Sequence, residues 1–218
     1  MKRLIIICEG QTEQEFCKDI LAPHFLAKEI IIQAPTIKKS GGGIVSWSEL
    51  KKQIENHLKQ ESEVFVTTLI DYYGLREKHQ IPDWALAHTR ADKVQRMNVL
   101  ENGMRNAIDE SLRHRFIPYI QLHEFEGLLF NEMSIFDSNF EPAEFTDRAE
   151  LIRVINAHPN PEMLNDGTTT APSKRLIQLI SGYNKIVYGA CLAHSIGLTR
   201  IMQKCPRFTE WIPKLSII

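Results

Sequence analysis

The sequence predicts an α/β fold with a mostly parallel, four-stranded sheet flanked by helices and a helical C-terminal part. Continuous apolar runs such as residues 4–8 are typical of strands buried on both faces of a parallel sheet. Strand patterns alternate with helix patterns as far as residue 122, which indicates βαβ units. From residue 143 onward only helix patterns remain. We therefore expect an α/β core at 1–142 and a helical extension at 143–218 that packs on it.

The first half of the chain contains three predicted strands. Thr12 stands three residues before Glu15, a spacing that predicts a capping box and the start of a helix. The run 64–70 is the clearest strand and carries Asp71 at its carboxyl end. In chain order we predict a strand at 4–8, a helix from about 13 to 28, a strand at 30–37, a loop at 38–43, a helix at 46–59 and a strand at 64–70.

The second half begins with a segment that contains turn residues. Gly74 and Pro82 interrupt residues 72–84, so we predict a loop there. A long polar helix is predicted at about 85–112, and a fourth strand at 116–122 leads into His123. The helices after residue 143 are separated by predicted turns at 159–161, 165–168 and 205–206.

Composition and charge exclude several classes of protein. The 218 residues are 43% hydrophobic and 24% charged, which is ordinary for a globular domain and argues against a disordered chain. The 26 Lys and Arg residues nearly balance the 27 Asp and Glu residues, giving a net charge of -1. Any site for nucleic acid or another polyanion must therefore be a local patch.

The cysteines and the hydrophobic runs predict a cytoplasmic protein. The four cysteines show no Cys-x-x-Cys spacing, so we expect buried thiols in a reducing compartment rather than a zinc site or a disulfide framework. The apolar run at 4–8 is too short for a signal peptide, and no later run approaches the roughly 20 residues of a membrane span.

Acidic residues follow three of the predicted strands. Glu9, Asp71 and the pair Glu124 and Glu126 each come directly after a strand. Because ligands gather at the carboxyl ends of parallel strands, these side chains are candidates for one shared site. Neighbouring carboxylates repel one another unless a cation neutralises them, and Mg²⁺ prefers one or two carboxylates together with water and phosphate oxygens.

Each of these acids also has a simpler structural explanation. Glu9 is suited to interact with the positive end of the following helix, and Asp71 to begin a turn. Glu124 and Glu126 would diverge by about 200° on a helix, so that only one could face the site, whereas an extended segment would allow both. Either is also suited to be a charge at a helix start. His123 is a candidate base or metal ligand, or a histidine held by ordinary hydrogen bonds.

Basic residues offer a candidate phosphate site. Lys174 and Arg175 open a predicted helix, where backbone N–H groups and two cations would meet a phosphate; the alternative is a solvated helix end. Lys185 is a third cation in this region. The glycines at 41–43 lack the Lys-Ser/Thr ending of a P-loop, so we assign no nucleotide binding to them.

Several strings of residues resemble a known family. Glu9-Gly10-Gln11-Thr12-Glu13 after a buried strand, with Asp71 at the end of a later strand, resembles the Rossmann-like Toprim domain of topoisomerases, primases and nucleases of the overcoming-lysogenization-defect type. Further strings resemble a bacterial Toprim-like family of unknown function over nearly the whole chain; these are residues 71–74, 123–130, 171–175, 205–208 and Trp211.

This resemblance implies a magnesium-dependent nuclease or a related phosphoryl-transfer activity, often encoded beside a partner ATPase and associated with defence against phage. Toprim enzymes usually carry Asp-x-Asp at the second motif, but the second of these positions is Tyr73 in this chain. Either Glu124 or Glu126 supplies the missing ligand, or the site binds one metal, or it is inactive.

The leading hypothesis is hydrolysis of a phosphodiester. Asp71 and one of Glu124 and Glu126 would hold Mg²⁺ or Mn²⁺, and Glu9 would be a ligand or the general base. The phosphate-binding residues would be Lys174, also a candidate catalytic residue, and Arg175. The alternatives are a non-catalytic subunit that docks an ATPase or nucleic acid, and a small-molecule phosphohydrolase or nucleotidyltransferase. A homo-oligomer is compatible with each of them.

Overall fold

The structure, a computed structural model, describes residues 1–38, 43–164, 167 and 169–218. Two predicted features fall partly outside these residues: the glycine-containing loop at 38–43 and the turn at 165–168. No helix in the described ranges is long and apolar enough to cross a lipid bilayer.

A parallel sheet forms the centre of the molecule, as the alternating strands and helices predict. Its strand order is β2-β1-β3-β4, and the short β5 also pairs with β3; every pairing is parallel. The strands are β1 (Lys2–Cys8), β2 (Ile30–Gln33), β3 (Val64–Asp71), β4 (Phe116–Ile117) and β5 (Ile120–Gln121). The α/β fold class, the mostly parallel sheet and the helical C-terminal part are confirmed.

Helices cover both faces of this sheet and make up the C-terminal part. In the first half they are α1 (Gln11–Phe16), α2 (Ala22–Leu26), α3 (Trp47–Gln60), α4 (Trp84–His88) and α5 (Lys93–Ala107). In the second half they are α6 (Met133–Asn139), α7 (Arg148–Ala157), α8 (Pro172–Leu179), α9 (Lys185–Lys204) and α10 (Pro206–Ser216). Gly197 kinks α9, because its φ of 74° lies outside the helical region.

The first helix begins two residues earlier than predicted. Gly10 is the N-cap, and the Glu13 Oε2 atom accepts a hydrogen bond from Gly10 N at 3.0 Å, so the capping pair is not Thr12 and Glu15. The helical path is also not uniform, because a π-helical turn at Cys17–Leu21 joins α1 to α2. The early start places the Glu13 carboxylate beside the end of β1.

Two predicted strands are shorter than expected. The second strand ends at Gln33 rather than at residue 37. The fourth is divided at Pro118, which has no N–H for the ladder. Between the two short strands the Thr68 side chain binds the backbone instead. Its hydroxyl donates to Tyr119 O at 2.8 Å and accepts from Tyr119 N at 3.0 Å.

The segment between β3 and β4 also differs from its prediction. Residues 72–84 contain two 3-10 turns, at Tyr72–Gly74 and Glu77–His79. The predicted long helix is two helices, α4 and α5, and the second ends at Ala107 rather than near Leu112. Asp92 begins α5, because its side chain accepts a hydrogen bond from Gln95 N at 2.7 Å.

Two hydrophobic cores lie on opposite faces of the sheet. Leu4 and Ile6 of β1 belong to the core that includes α1 and the C-terminal helices, and Ile5 and Ile7 belong to the core built with α3 and α5. This division follows from the alternation of side chains along a strand. The C-terminal helices thus complete one face of the α/β core.

The last helix is fixed to the sheet by an aromatic contact. The ring of Trp211 in α10 stacks on Tyr119 with 4.4 Å between centroids and donates a hydrogen bond to Thr67 of β3 at 3.0 Å. All four cysteines are free thiols, and Cys191 is exposed, so only three of them are buried as predicted.

A buried ion pair also joins α10 to the core. The Arg207 side chain is 6% exposed, and its guanidinium donates to Glu101 Oε1 at 2.5 Å, to Asn98 Oδ1 at 2.8 Å and to Ile120 O at 3.3 Å. Removing one partner of a buried pair leaves the other charge uncompensated.

We predict that Arg207→Met lowers the free energy of unfolding by about 3 kcal/mol or more, measured by urea denaturation. The double variant Arg207→Met/Glu101→Met should recover most of this loss, because no unpaired charge remains. Arg148→Met, which breaks an ion pair at the surface, is the control and should change stability little. A double variant as unstable as Arg207→Met would contradict this interpretation.

Candidate functional site

The ends of β1 and β3 bring two of the predicted acids together. The parallel register pairs Cys8 with Leu69, so Glu9 and Asp71 leave the sheet at the same edge. Asp71 N donates a hydrogen bond to Glu9 Oε2 at 2.9 Å. Gly74 lies against the other oxygen, since a Cβ on this glycine would stand 3.1 Å from Glu9 Oε1. The carboxylate of Glu9 is thus held over the backbone that follows β3.

Glu13 is a third acid at this edge, and the sequence analysis did not assign it a role. Its carboxylate is buried because α1 begins at Gln11 and its side chain turns back to Gly10 N. The available signal was a glycine followed three residues later by glutamate, directly after a buried strand.

These three acids line a cavity of about 450 Å³. Lys185, at the start of α9, lines the same cavity. Asn184 fixes this helix start, because its side chain accepts hydrogen bonds from Ile186 N and Val187 N. The remaining described lining residues are Gly10, Gln11, Thr12, Thr36, Gly43 and Ile186.

The carboxyl groups in and behind this cavity strongly affect one another. Burial raises the pKa of Asp71 well above its usual value, and the charges of Glu13 and Glu9 raise it further. Asp71 Oδ1 accepts a hydrogen bond from Phe125 N at 2.9 Å. Burial likewise raises the pKa of Glu9, although the hydrogen bond from Asp71 N opposes this effect. Among the described residues, burial and neighbouring carboxylates thus both disfavour the charged forms of these acids.

Glu126 lies behind the cavity and forms an ion pair with Lys185. The side chain is fully buried, and its Oε1 is 2.9 Å from the Lys185 Nζ atom. Burial raises the pKa of Glu126 to about 7, although Lys185 acts in the opposite direction. Its Oε2 has no hydrogen-bond partner among the described residues. Glu126 does not line the cavity. It acts on the site through Lys185, and its charge adds to the effect of burial that raises the pKa of Asp71.

Glu124 is placed differently from Glu126. It accepts hydrogen bonds from Ser173 N at 2.9 Å and from the Ser173 hydroxyl at 3.1 Å, at the first turn of α8. The two glutamates diverge because Glu126 lies in a 3-10 turn at Phe125–Leu129. Glu124 therefore links α8 to the segment after β5 and, like Glu126, lies outside the cavity lining.

The predicted phosphate-binding pair is not at this cavity. Lys174 is exposed, and the Arg175 guanidinium donates to Thr170 O at 3.0 Å and lies 4.0 Å from Glu150. Neither side chain is among the lining residues. In the described lining, the cation beside the acids is Lys185. Burial lowers its pKa, but Glu126 and Asp71 outweigh this effect and raise it.

His123 and Tyr73 line a second, neighbouring cavity. Their backbones are joined by a hydrogen bond from Tyr73 N to His123 O at 2.8 Å. His123 has a φ of 68°, a left-handed conformation that is uncommon for residues other than glycine. Its ring lies 3.1 Å from Lys93 Nζ. Neither residue is among the described lining of the acidic cavity.

The acidic cavity fits a divalent cation of the magnesium type. No group of three or more His, Cys, Asp and Glu side chains in the described part of the chain is arranged to hold a metal ion. Mg²⁺ does not need such a cage, because it keeps several waters and binds through one or two carboxylates and substrate phosphate. Glu9 and Asp71 each use one oxygen for a backbone N–H. A cation would offset the burial and the repulsion between carboxylates that together raise the pKa of both groups.

One comparison with known proteins identifies a family. A protein family described as "Domain of unknown function (DUF4276)" matches residues 8–216. The chain therefore belongs to this family. Comparisons with curated proteins and with solved structures found no match.

We predict that Mg²⁺ or Mn²⁺ stabilises the protein and that Asp71→Asn removes this effect. A ligand at ten times its dissociation constant adds about 1.4 kcal/mol to the free energy of unfolding. The measurement is thermal unfolding with increasing cation, after dialysis against EDTA. Asp137→Asn, at an exposed acid outside the cavity, is the control and should respond like the unmodified protein. If Asp71→Asn is stabilised by the cation as much as the unmodified protein, the assignment of Asp71 as a cation ligand is wrong.

We also predict that stability without divalent cation falls as pH rises from about 4.5 to 7. The folded protein keeps a proton on Glu126, with its pKa of about 7, that the unfolded chain releases near pH 4.5. Linkage gives this group at most about 3 kcal/mol over that interval. The free energy of unfolding should change less with pH in Glu126→Gln, as measured by urea denaturation in EDTA. Identical pH profiles for the two proteins would refute this assignment.

Proposed function

We propose that this member of the DUF4276 family is a divalent-cation-dependent phosphoryl-transfer enzyme, and specifically a nuclease that hydrolyses phosphodiester bonds. The observation that supports this proposal is the placement of Glu9 and Asp71 at the ends of adjacent parallel strands, in a cavity shared with Glu13 and Lys185. Acids at the carboxyl ends of parallel strands are well placed to meet a ligand. Their mutual repulsion favours a bound cation.

The residues divide into three roles in this proposal. Asp71 and Glu9 would hold Mg²⁺ or Mn²⁺, which would polarise the phosphoryl oxygen and stabilise the leaving group. The candidate proton acceptor is Glu13, or Glu9 where it does not hold the cation, because burial raises the pKa of both carboxyl groups above their usual value. Lys185 would offset the negative charge of the substrate phosphate.

Glu124 and Glu126 act as supporting residues in this proposal. Glu126 orients Lys185 through their ion pair, and Glu124 holds the start of α8 against the segment that follows β5. Lys174 remains a candidate for contact with a substrate that extends beyond the cavity, because its side chain is exposed. Arg175 is engaged with Thr170 and Glu150, which favours a structural role.

The biological setting that we propose is defence against phage in the bacterial cytoplasm, together with a partner ATPase. This part of the proposal, like the relationship to Toprim nucleases, rests on the resemblance of the sequence motifs. Tyr73 in place of the second Asp favours a site that holds one metal ion rather than two.

A second candidate function is a non-catalytic subunit that docks an ATPase or nucleic acid. It is favoured by Tyr73 in place of a second Asp and by the near-neutral net charge of -1. It differs from the first candidate in its response to cation, since a docking subunit has no need to bind Mg²⁺ at Glu9 and Asp71.

We predict that Asp71→Asn and Glu9→Gln each reduce cation-dependent cleavage by about 100-fold or more, because each removes a charge that would hold the cation. The assay offers supercoiled plasmid and labelled single-stranded DNA and RNA with Mg²⁺ or Mn²⁺, and EDTA should abolish cleavage. Asp137→Asn, at an exposed acid, should leave the rate unchanged.

Cleavage that survives in both variants would disprove the assignment of these residues. No cleavage by the unmodified protein, combined with no cation binding in calorimetry, would favour the docking subunit. Release of phosphate from mononucleotides without cleavage of DNA or RNA would identify a small-molecule phosphohydrolase.

A further inference from the structure

A second cavity of about 450 Å³ lies next to the acidic one. Asp71 lines the first cavity, and the two residues that follow it, Tyr72 and Tyr73, line the second. The two cavities are thus formed by consecutive residues at the end of β3. A ligand bound in the second would lie close to the proposed catalytic acids.

The charged side chains in the described lining of this second cavity are cationic, whereas the first cavity is lined mainly by acids. Its lining includes three cationic side chains, and none of its described lining residues carries a carboxylate. The cations are Arg76, Lys93 and Arg96, and the imidazoles of His88 and His123 lie among them. In a chain with a net charge of -1, these described side chains form a local cluster of cations. Such a cavity favours an anionic ligand.

Arg96 is the best-defined cation of this cavity. Its guanidinium donates to the Tyr72 hydroxyl at 3.1 Å and to Arg90 O at 2.9 Å. Its buried Nε has no hydrogen-bond partner, and no carboxylate in the described ranges lies within ion-pair distance. The side chain is therefore held in place while its charge is not neutralised by those residues. This arrangement suits a phosphate.

Aromatic rings lie beside this cation. The rings of Trp84 and His88 are 4.2 Å apart between centroids, and the Tyr72 hydroxyl is 3.3 Å from His88 Nε2. Arg76 lies over the ring of Tyr73 at 5.8 Å. Aromatic faces stack on nucleobases of any sequence, and cations contact the phosphates between them.

We propose that the second cavity binds single-stranded nucleic acid, with Arg96 contacting a backbone phosphate and Trp84 stacking on a base. Stacking inside a concave cavity requires a base that is free of its duplex partner, which favours a single strand over a duplex. The strand would extend from this cavity toward the acids at Glu9 and Asp71. That this strand is also the substrate rests on the proposed function, whereas its binding in the second cavity does not.

The test measures binding without catalysis. Fluorescein-labelled 12-nucleotide dT and U oligomers are titrated with protein in EDTA, and fluorescence anisotropy gives the dissociation constants. We expect Arg96→Met and Trp84→Leu each to weaken binding about tenfold, because each removes one phosphate or one stacking contact. Arg148→Met removes the same charge from an exposed ion pair elsewhere and should bind like the unmodified protein.

Two further readouts separate a specific contact from general loss of charge or structure. Arg96→Met should reduce the slope of log K against log salt by about 0.7, the value for one phosphate contact with a single strand. Strand binding should quench the fluorescence of half-exposed Trp84, since Trp47 and Trp211 are buried, and Trp84→Leu should abolish the quench. Thermal unfolding verifies that both variants are folded.

The outcomes distinguish this inference from the proposed function. Asp71→Asn should lose cleavage and keep strand binding. If folded Arg96→Met and Trp84→Leu bind the oligomers as tightly as the unmodified protein, the inference is overturned, even where cleavage is observed. The same holds if the unmodified protein does not bind the oligomers. Equal affinity for dTMP and for the 12-nucleotide strand would also overturn it, and so would a preference for duplex. Binding at this cavity without cleavage under any cation would instead refute the proposed nuclease.

Discussion

The burial of acidic groups against one another is the constraint on which this structure depends. The parallel register of β1 and β3 forces Glu9 and Asp71 to the same edge, and α1 adds Glu13. Lys185 is the cation that faces them in the described lining. Burial of like charges costs free energy, so the two hydrophobic cores must stabilise the fold against its own site. Residues that destabilise the fold locally, and that the rest of the structure must offset, are typical of functional sites.

The C-terminal helices are needed to complete this site as well as the core. Lys185 comes from α9, and Ser173 of α8 holds Glu124. The stacking of Trp211 on Tyr119 fixes α10 beside β3, the strand that carries Asp71. A division of the chain at residue 142 therefore separates the acids from the cation that faces them.

The sequence predicted the residues that local patterns determine. The position of Glu9 and Asp71 at one edge of the sheet could be predicted because buried strands end directly before them. Glu13 was missed because a capping box at Thr12 and Glu15 matched the pattern equally well, and only the backbone shows that the helix starts earlier. Lys185 ranked below Lys174 because the path of α9 across the sheet edge is a tertiary feature. The break at Pro118 was predictable from its missing N–H, whereas the two strand pairings beside it were not.

A backbone hydrogen bond between Tyr73 and His123 lies where the acidic and the basic cavity meet. His123 is held at a φ of 68°, a strained conformation for a residue with a side chain, and its carbonyl accepts the hydrogen bond from Tyr73 N. This bond fixes the direction in which Tyr73 leaves β3, so that its ring lies in the basic cavity beside Arg76. Tyr73 thus contributes an aromatic face to the neighbouring cavity, at the position where the proposed resemblance to Toprim motifs would put a second acid. Within the proposed function, the exchange of an acid for Tyr73 removes one metal ligand and adds one contact for the substrate.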